Sequence, residues 1–292
     1  MPNFSKYSEQ LDREINSACR NALLEDLGGE GNEDITASLI DINREATAKL
    51  ISRESGVVCG QKWFDEIFRL LGSDVEITWH KNDGDICQTN DIICQLSGNA
   101  RKILTGERSA MNFLQTLSST ATVTHQYAAK IKHTKCQLLD TRKTIPGMRF
   151  GQKYAVACGG GTNHRLGLHD AYLIKENHII SCGGIGQALS LAISQHPDKL
   201  LEIEVENLNE LHQALDGMAQ VIMLDNFSLT DMQEAIRIRN SHSNQAKLEA
   251  SGNICIDSIA EVAETGVDYI SVGALTKNIK ALDLSMRIDL QE

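Results

Sequence analysis

The chain has 292 residues, a length that suits two domains or one barrel with an appendage. Its 28 Lys and Arg against 39 Asp and Glu leave a net charge of −11, which argues against nucleic acid or an anionic membrane as the main partner. No apolar run approaches the ~20 residues of a membrane span, and the N-terminal stretch lacks the apolar core of a signal peptide, so a cytoplasmic location is expected. The eight cysteines form no CxxC pair and read as small buried hydrophobes rather than disulfides or zinc ligands.

In chain order, residues 6–27 read as a helix with Tyr7, Leu11, Ile15, Ala18 and Ala22 on one stripe, stopped by the Gly-rich stretch at 27–31. Short alternating runs follow at 46–52, 76–80 and 91–97, with turn residues at 56–57 and 82–85 and a helix near 61–71 among them. This predicts an α+β region with a mostly antiparallel sheet. Residues 100–133 read as a long helix. After 135, strand, loop and helix repeat: strands at 137–141, 171–175, 201–205, 221–225, 247–251 and 269–273, and helices at 184–195, 207–216, 229–241 and 258–265. From Lys175 onward the strand ends recur every 21–29 residues, the size of a βα unit, which predicts a parallel sheet closed as a barrel. Six strands rather than eight make that barrel short or incomplete.

In such barrels the chemistry sits at the C-terminal ends of the strands. Here those positions are Asp140, Arg142 and Lys143; Lys175, Glu176 and Asn177; Glu204 and Glu206; Asp225 and Asn226; Ser251 and Gly252; and Gly273. Loops are polar in any protein, but charge at the ends of five consecutive units points to a site. A second feature is a stretch from 141 to 169 with no Asp or Glu, holding Arg142, Lys143, Arg149, Lys153, Arg165, His164 and His169. A basic segment in an acidic chain implies an anionic ligand. The glycines at 159–161 and the Thr-Ile-Pro-Gly at 144–147 read as closely approaching backbone rather than an exposed helix. Glu204, Glu206 and Asp225 form the third feature, suited to Mg²⁺ held through water beside a polyphosphate; structural salt bridges to Lys175 or Arg165 are the competing explanation. The fourth is Ser251-Gly252-Asn253 with Val272-Gly273-Ala274, whose glycines would open backbone N–H groups to a phosphate. Together these describe a ligand with a phosphate at one end, a metal-bound polyphosphate in the middle and a further anion between Arg and Lys. Phosphoribosyl pyrophosphate with an aromatic acid has that layout.

Eight segments carry a resemblance: Thr-Gly-Glu-Arg (105–108), Asp-Thr-Arg-Lys-Thr-Ile-Pro (140–146), Gly-Gly-Gly-Thr-Asn-His-Arg (159–165), Leu-Ile-Lys-Glu-Asn-His (173–178), Glu-Ile-Glu-Val-Glu-Asn (202–207), Met-Leu-Asp-Asn-Phe (223–227), Glu-Ala-Ser-Gly-Asn (249–253) and Ser-Val-Gly-Ala (271–274). In their order the chain closely resembles the quinolinate phosphoribosyltransferases, from Glu25–Gly28 through Asp34–Thr36 to its end. Asn253 departs from the family pattern, which usually has a second Gly there. The resemblance implies an α/β fold: an N-terminal α+β domain over 1–115, joined by 278–292, and an incomplete α/β barrel over 116–277. It implies conversion of quinolinate and phosphoribosyl pyrophosphate to nicotinate mononucleotide, pyrophosphate and CO₂ with Mg²⁺, in a homodimer whose sites each receive an Arg from the partner subunit, matched by Arg108. Arg142, Lys143, His164, Arg165 and Lys175 match the residues lining the dicarboxylate and pyrophosphate sites. Glu204 and Asp225 match the ribose and metal side, and Ser251, Gly252 and Gly273 the 5′-phosphate side. Lys143, Lys175, Glu204 and Asp225 are the expected catalytic groups. Three alternatives stand beside this: a related protein with a changed acceptor, as found with molybdate transport; a Schiff-base aldolase using Lys143 or Lys175; and a non-catalytic ligand sensor.

Overall fold

The computed structural model describes residues 8–290. Its contacts divide the chain into two compact units, one of residues up to 125, 144–160 and 278 onward, the other of 126–143 and 161–277. The boundary near 125 falls within a long helix, and 144–160 groups with the first unit although it lies between strands of the second.

In the first unit, α1 (Ser8–Leu27) buries Leu11, Ile15, Cys19 and Leu23. This is a strict i, i+4 stripe, so the buried edge runs through Cys19 and Leu23 rather than through Ala18 and Ala22, which are half-buried. Tyr7 lies outside the described residues. Strand β1 (Glu45–Ser52) alternates, with Ala46, Ala48, Leu50 and Ser52 buried. A short pair, β2 (Gly56–Val57) and β4 (Ile86–Cys87), flanks α2 (Gln61–Leu70) and β3 (Val75–Trp79). Helix α2 turns Trp63, Phe64, Ile67 and Phe68 inward, where Phe64 meets Phe68 and Trp79 with ring centroids 5.3 Å apart. Strand β5 (Ile92–Asn99) runs directly into α3 (Ala100–Ile131).

The second unit is a six-stranded parallel sheet: β6 (Gln137–Leu139), β7 (Tyr172–Ile174), β8 (Leu201–Val205), β9 (Val221–Asp225), β10 (Lys247–Ser251) and β11 (Tyr269–Ser271), in the order β6-β11-β10-β9-β8-β7. Read cyclically this is chain order, the topology of a barrel left open between β6 and β7. Beside β6 the main chain of Thr162 forms a single parallel bridge to Leu139, which partly fills that gap. The connecting helices are α5 (Glu176–Cys182), α6 (Ile185–Gln195), α7 (Leu208–Asp216), α8 (Leu229–Ser241), α9 (Ile259–Glu264) and α10 (Ala274–Lys277). Two start on side-chain caps: Asn207 accepts from Glu210 N–H at 3.0 Å and Ser228 from Asp231 N–H at 3.1 Å.

Two later segments complete the first unit: α4 (Arg149–Cys158) and β12 (Leu284–Leu290), which pairs with β1 in the antiparallel order β12-β1-β5-β3. Helix α4 lies between the two glycine-containing segments at 144–147 and 159–161 and is an element the sequence pattern did not predict. Its buried face includes Gln152 and fully buried Lys153, so apolar periodicity does not reveal it. The close approach expected of Gly159 is real, but toward the chain itself: a Cβ there would lie 2.4 Å from Ala121 O on α3. The cysteines need a second correction. Cys19, Cys59, Cys87 and Cys94 are buried and Cys136, Cys158 and Cys182 half-buried, but Cys255 is exposed. Among the described residues no helix is long and apolar enough to cross a membrane.

Gly98, on β5, has φ +146°, and a Cβ there would lie 2.1 Å from Asp74 O. Gly98→Ala therefore meets both backbone strain and a main-chain clash, and is expected to lower stability by ~2–4 kcal/mol, read as a lower urea midpoint. An unchanged midpoint would show that the turn before β3, which holds Asp74, yields freely.

Candidate active site

Alternation along the parallel strands sorts their residues by face. The register aligns Ile203 with Ile222, Ile222 with Leu248, and Ala250 with Ile270, an apolar set buried toward the helices. The opposite face carries Glu202 and Glu204 on β8, Met223 and Asp225 on β9, and Glu249 and Ser251 on β10. β8 and β10 thus place one carboxylate deep and another polar group near the C-terminal end, whereas β9 has Met223 deep and Asp225 at its end.

The loop after β6 is anchored by Asp140, which is fully buried. Its Oδ1 accepts the N–H of His164 at 3.0 Å and its Oδ2 the amide of Asn163 at 2.5 Å. Thr162 completes the join, donating its N–H to Leu138 O at 2.8 Å. These contacts bring Arg165 beside Arg142. Arg142 Nε is buried and makes no hydrogen bond with the described residues. Arg165 Nη1 donates to Ala171 O at 3.1 Å, and its pKa is lowered by burial and then by the positive charge of Arg142. The charges of Glu202 and Asp170 counter that repulsion only in part, and two neighbouring guanidinium groups, one with a buried Nε that meets no acceptor among the described residues, form a receptor for an anion with planar oxygen pairs.

The other expected residues occupy strand ends of the same unit. Lys143 is exposed; its stem passes over Gly273, whose Cβ would lie 3.0 Å from Lys143 Cδ, and its carbonyl accepts from Thr276 Oγ1 at 2.9 Å. Lys175, after β7, forms an ion pair with Glu204 of β8. Asp225 accepts the side-chain amide of Asn226 at 2.8 Å. Nearby Glu206 is pushed to a higher pKa by Glu176 first, with Glu210, Asp225 and Glu204 adding to it. That crowding of carboxylates is the hard-oxygen surrounding that suits a divalent cation, so Glu204 and Asp225 fit Mg²⁺. After β10, Gly252 has φ +98°, and a Cβ there would lie 2.2 Å from Asn226 Oδ1. Asn253 has φ +50°, a left-handed conformation that Asn tolerates, and its amide donates to Asn226 Oδ1 at 3.2 Å. The departure from Gly at 253 is thus absorbed locally.

The basic stretch is divided between the units: Arg149 and Lys153 belong to the first, whereas Arg142, Lys143, His164, Arg165 and His169 belong to the second. Arg108 lies in the first unit, exposed on α3, and makes no hydrogen bond or ion pair with the described residues.

Sequence reasoning missed Glu202 and Glu249. His164 Nε2 lies 2.9 Å from Glu202 Oε2 and 3.5 Å from Glu249 Oε2. Their three ligand atoms lie within 4.8 Å of one another, the one such metal-competent cluster among the described residues. Burial disfavours charge on the His164 ring, but the two carboxylates outweigh it and raise its pKa to about 10; burial pushes the Glu202 carboxyl up to about 7. The N–H of Arg165 meets His164 Nδ1 at 2.7 Å, so that nitrogen acts as an acceptor. The available signal was the Glu-Ile-Glu spacing at 202–204, which puts both acids on one strand face.

Comparison with known proteins agrees along the chain. Residues 34–118 match the family model for the quinolinate phosphoribosyl transferase N-terminal domain, and 120–287 match that for its C-terminal domain. A probable carboxylating nicotinate-nucleotide pyrophosphorylase of Bacillus subtilis is 37% identical over 91% of both chains. A mitochondrial decarboxylating quinolinate phosphoribosyltransferase of Nicotiana tabacum is 36% identical over 92% of this chain and 81% of its own. The solved nicotinate-nucleotide pyrophosphorylase of Francisella tularensis superposes with a TM-score of 0.89 at 47% identity, covering 95% of this chain and 97% of that one. The chain belongs to the quinolinate phosphoribosyltransferase family.

Proposed function

We infer that the protein transfers the 5-phosphoribosyl group of phosphoribosyl pyrophosphate to quinolinate, releasing pyrophosphate and CO₂ and forming nicotinate mononucleotide for NAD biosynthesis. The observation that carries this reading is the Arg142–Arg165 pair, two adjacent cations with a buried Nε lacking any acceptor of the chain's own. A pyridine dicarboxylate supplies the missing oxygens in planar pairs.

The ring nitrogen bonds to C1′ as the bond from C1′ to the pyrophosphate oxygen breaks. Lys143 and Lys175 stabilise the charge on the departing pyrophosphate. Glu204 and Asp225 hold ribose hydroxyls, and their charge favours the cationic ribosyl centre. The N-ribosylated ring is a pyridinium. Its positive nitrogen stabilises the electron pair left in the ring plane on the adjacent carbon when CO₂ departs, and that carbon then takes a proton. No separate organic electron sink is needed. Mg²⁺, on the side of Glu204 and Asp225, supplies charge neutralisation for the pyrophosphate when bound. Ser251, Gly252 and Gly273 hold the 5′-phosphate through backbone N–H groups that no Cβ obstructs. Arg108, exposed and unpaired within its own chain, reaches the site of the partner subunit in a homodimer.

The direct test supplies quinolinate, phosphoribosyl pyrophosphate and Mg²⁺ and follows quinolinate loss with CO₂ and nicotinate mononucleotide release. Equal amounts of both products are expected; absence of CO₂ release dependent on phosphoribosyl pyrophosphate overturns the assignment. Arg165→Ala should weaken quinolinate binding by ~2–5 kcal/mol in calorimetry while leaving phosphoribosyl pyrophosphate binding largely intact, because it removes one fork of the carboxylate receptor. The subunit exchange is tested by co-refolding two inactive variants, Arg108→Ala and Glu204→Ala. In a mixed two-fold dimer one site inherits both lesions and the other neither, so random assembly restores about one quarter of the sites. No recovery, with mixed dimers present, would place Arg108 in its own subunit's chemistry or outside it.

A further inference from the structure

Both ring nitrogens of His164 are occupied by the chain itself. Nε2 faces Glu202 at 2.9 Å with Glu249 behind it at 3.5 Å, and Nδ1 accepts the main-chain N–H of Arg165 at 2.7 Å. The residue's own N–H is held by Asp140 at 3.0 Å. No ring nitrogen remains to meet a substrate anion. Glu202 and Glu249 are only 2% and 1% exposed, and each lies two residues before a strand-end group, Glu204 and Ser251. At ~3.3 Å per residue that is about 6–7 Å deeper than the proposed phosphate and ribose groups, so neither touches substrate.

We propose that Glu202, Glu249 and His164 form a buried strut that fixes the main chain of Arg165, which makes His164 a positioning residue for the quinolinate clamp rather than a ligand of quinolinate. The inference rests on the proposed function in taking quinolinate as the anion that Arg165 receives. A guanidinium on a long side chain matches a carboxylate only if its backbone is held, and Arg165 is held from two sides. One is His164 Nδ1 at its N–H; the other is Ala171 O at its Nη1. The strut spans β8 and β10 and carries their spacing to the loop after β6. Burying two acids is costly, and the Nε2 of His164 facing both of them offsets part of that cost.

The test has a spectroscopic arm that needs no activity and no variant. ¹⁵N-histidine NMR of the intact protein between pH 6 and 8 should show the His164 signal with Nε2 protonated and Nδ1 bare, and saturating quinolinate should leave both shifts unchanged. A ring protonated on both nitrogens, or a ring signal that moves on quinolinate binding, overturns the proposal. So does one equivalent of divalent metal that survives chelation, since the cluster would then be a metal site. In the kinetic arm, Glu202→Ala should raise the quinolinate KM about tenfold or more, with kcat at saturation and the KM for phosphoribosyl pyrophosphate within about threefold. Glu202→Gln keeps an acceptor for Nε2–H and should restore most of the quinolinate KM. Equal loss in the Gln and Ala variants would mean that charge, not position, is what Glu202 supplies, and would also overturn the strut. If the protein turned over no quinolinate at all, the functional reading would fail while the tautomer measurement still decided the strut.

Discussion

Two arginines that repel each other must be kept together, and much of the second unit is arranged around that constraint. Arg142 follows β6 and Arg165 follows the Thr162 bridge beside it; Arg142 Nε meets no acceptor among the described residues, and Glu202 and Asp170 offset the repulsion at Arg165 only in part. The repulsion is borne by anchors a short distance away. Asp140 is buried and bonded to both Asn163 and the main chain of His164, and Thr162 is stitched to β6. Such a site is under electrostatic load until an anion enters, and binding that anion relieves it.

The barrel separates residues of one chemical type by depth alone. Glu202 and Glu204 are two positions apart on β8, yet the first is sealed against His164 and the second reaches Lys175 at the strand end. Ser251 and Glu249 repeat the arrangement on β10. In the deep layer the low-dielectric surroundings push the Glu202 carboxyl up and it faces His164; in the upper layer Glu204 meets the Lys175 cation at the strand end. The same side-chain type thus takes two roles because a parallel strand presents every second residue at increasing depth.

The first unit shows how glycine positions follow from packing rather than from ligand approach. Gly159 and Gly98 both exclude a Cβ because main-chain oxygens, Ala121 O and Asp74 O, stand in its place. In the second unit Gly252 is hemmed by Asn226, and Gly273 carries the stem of Lys143. Glycine-rich segments that look alike in the chain therefore differ in what presses on them.

The sequence by itself determined the strand and helix period from β6 onward, the polar character of the strand ends, and, through its ordered motifs, the family. These are local properties, set by alternation, caps and turn residues within a few positions. It also showed the chemical types of the site: forks for carboxylates, oxygens for a cation, glycines for a phosphate. Helix α4 was not legible, because its inward face carries Gln152 and Lys153 and so breaks the apolar pattern. The exposure of Cys255 and the position of the buried stripe on α1 likewise depended on what packs against them. Only the tertiary structure decided that His164 spends both ring nitrogens on Glu202 and Arg165, and that Arg142 and Arg165 lie side by side. Those facts join residues from separate strands. Their protonation and charge are fixed by burial and by neighbours brought together only when the barrel forms, which no local pattern in the chain can encode.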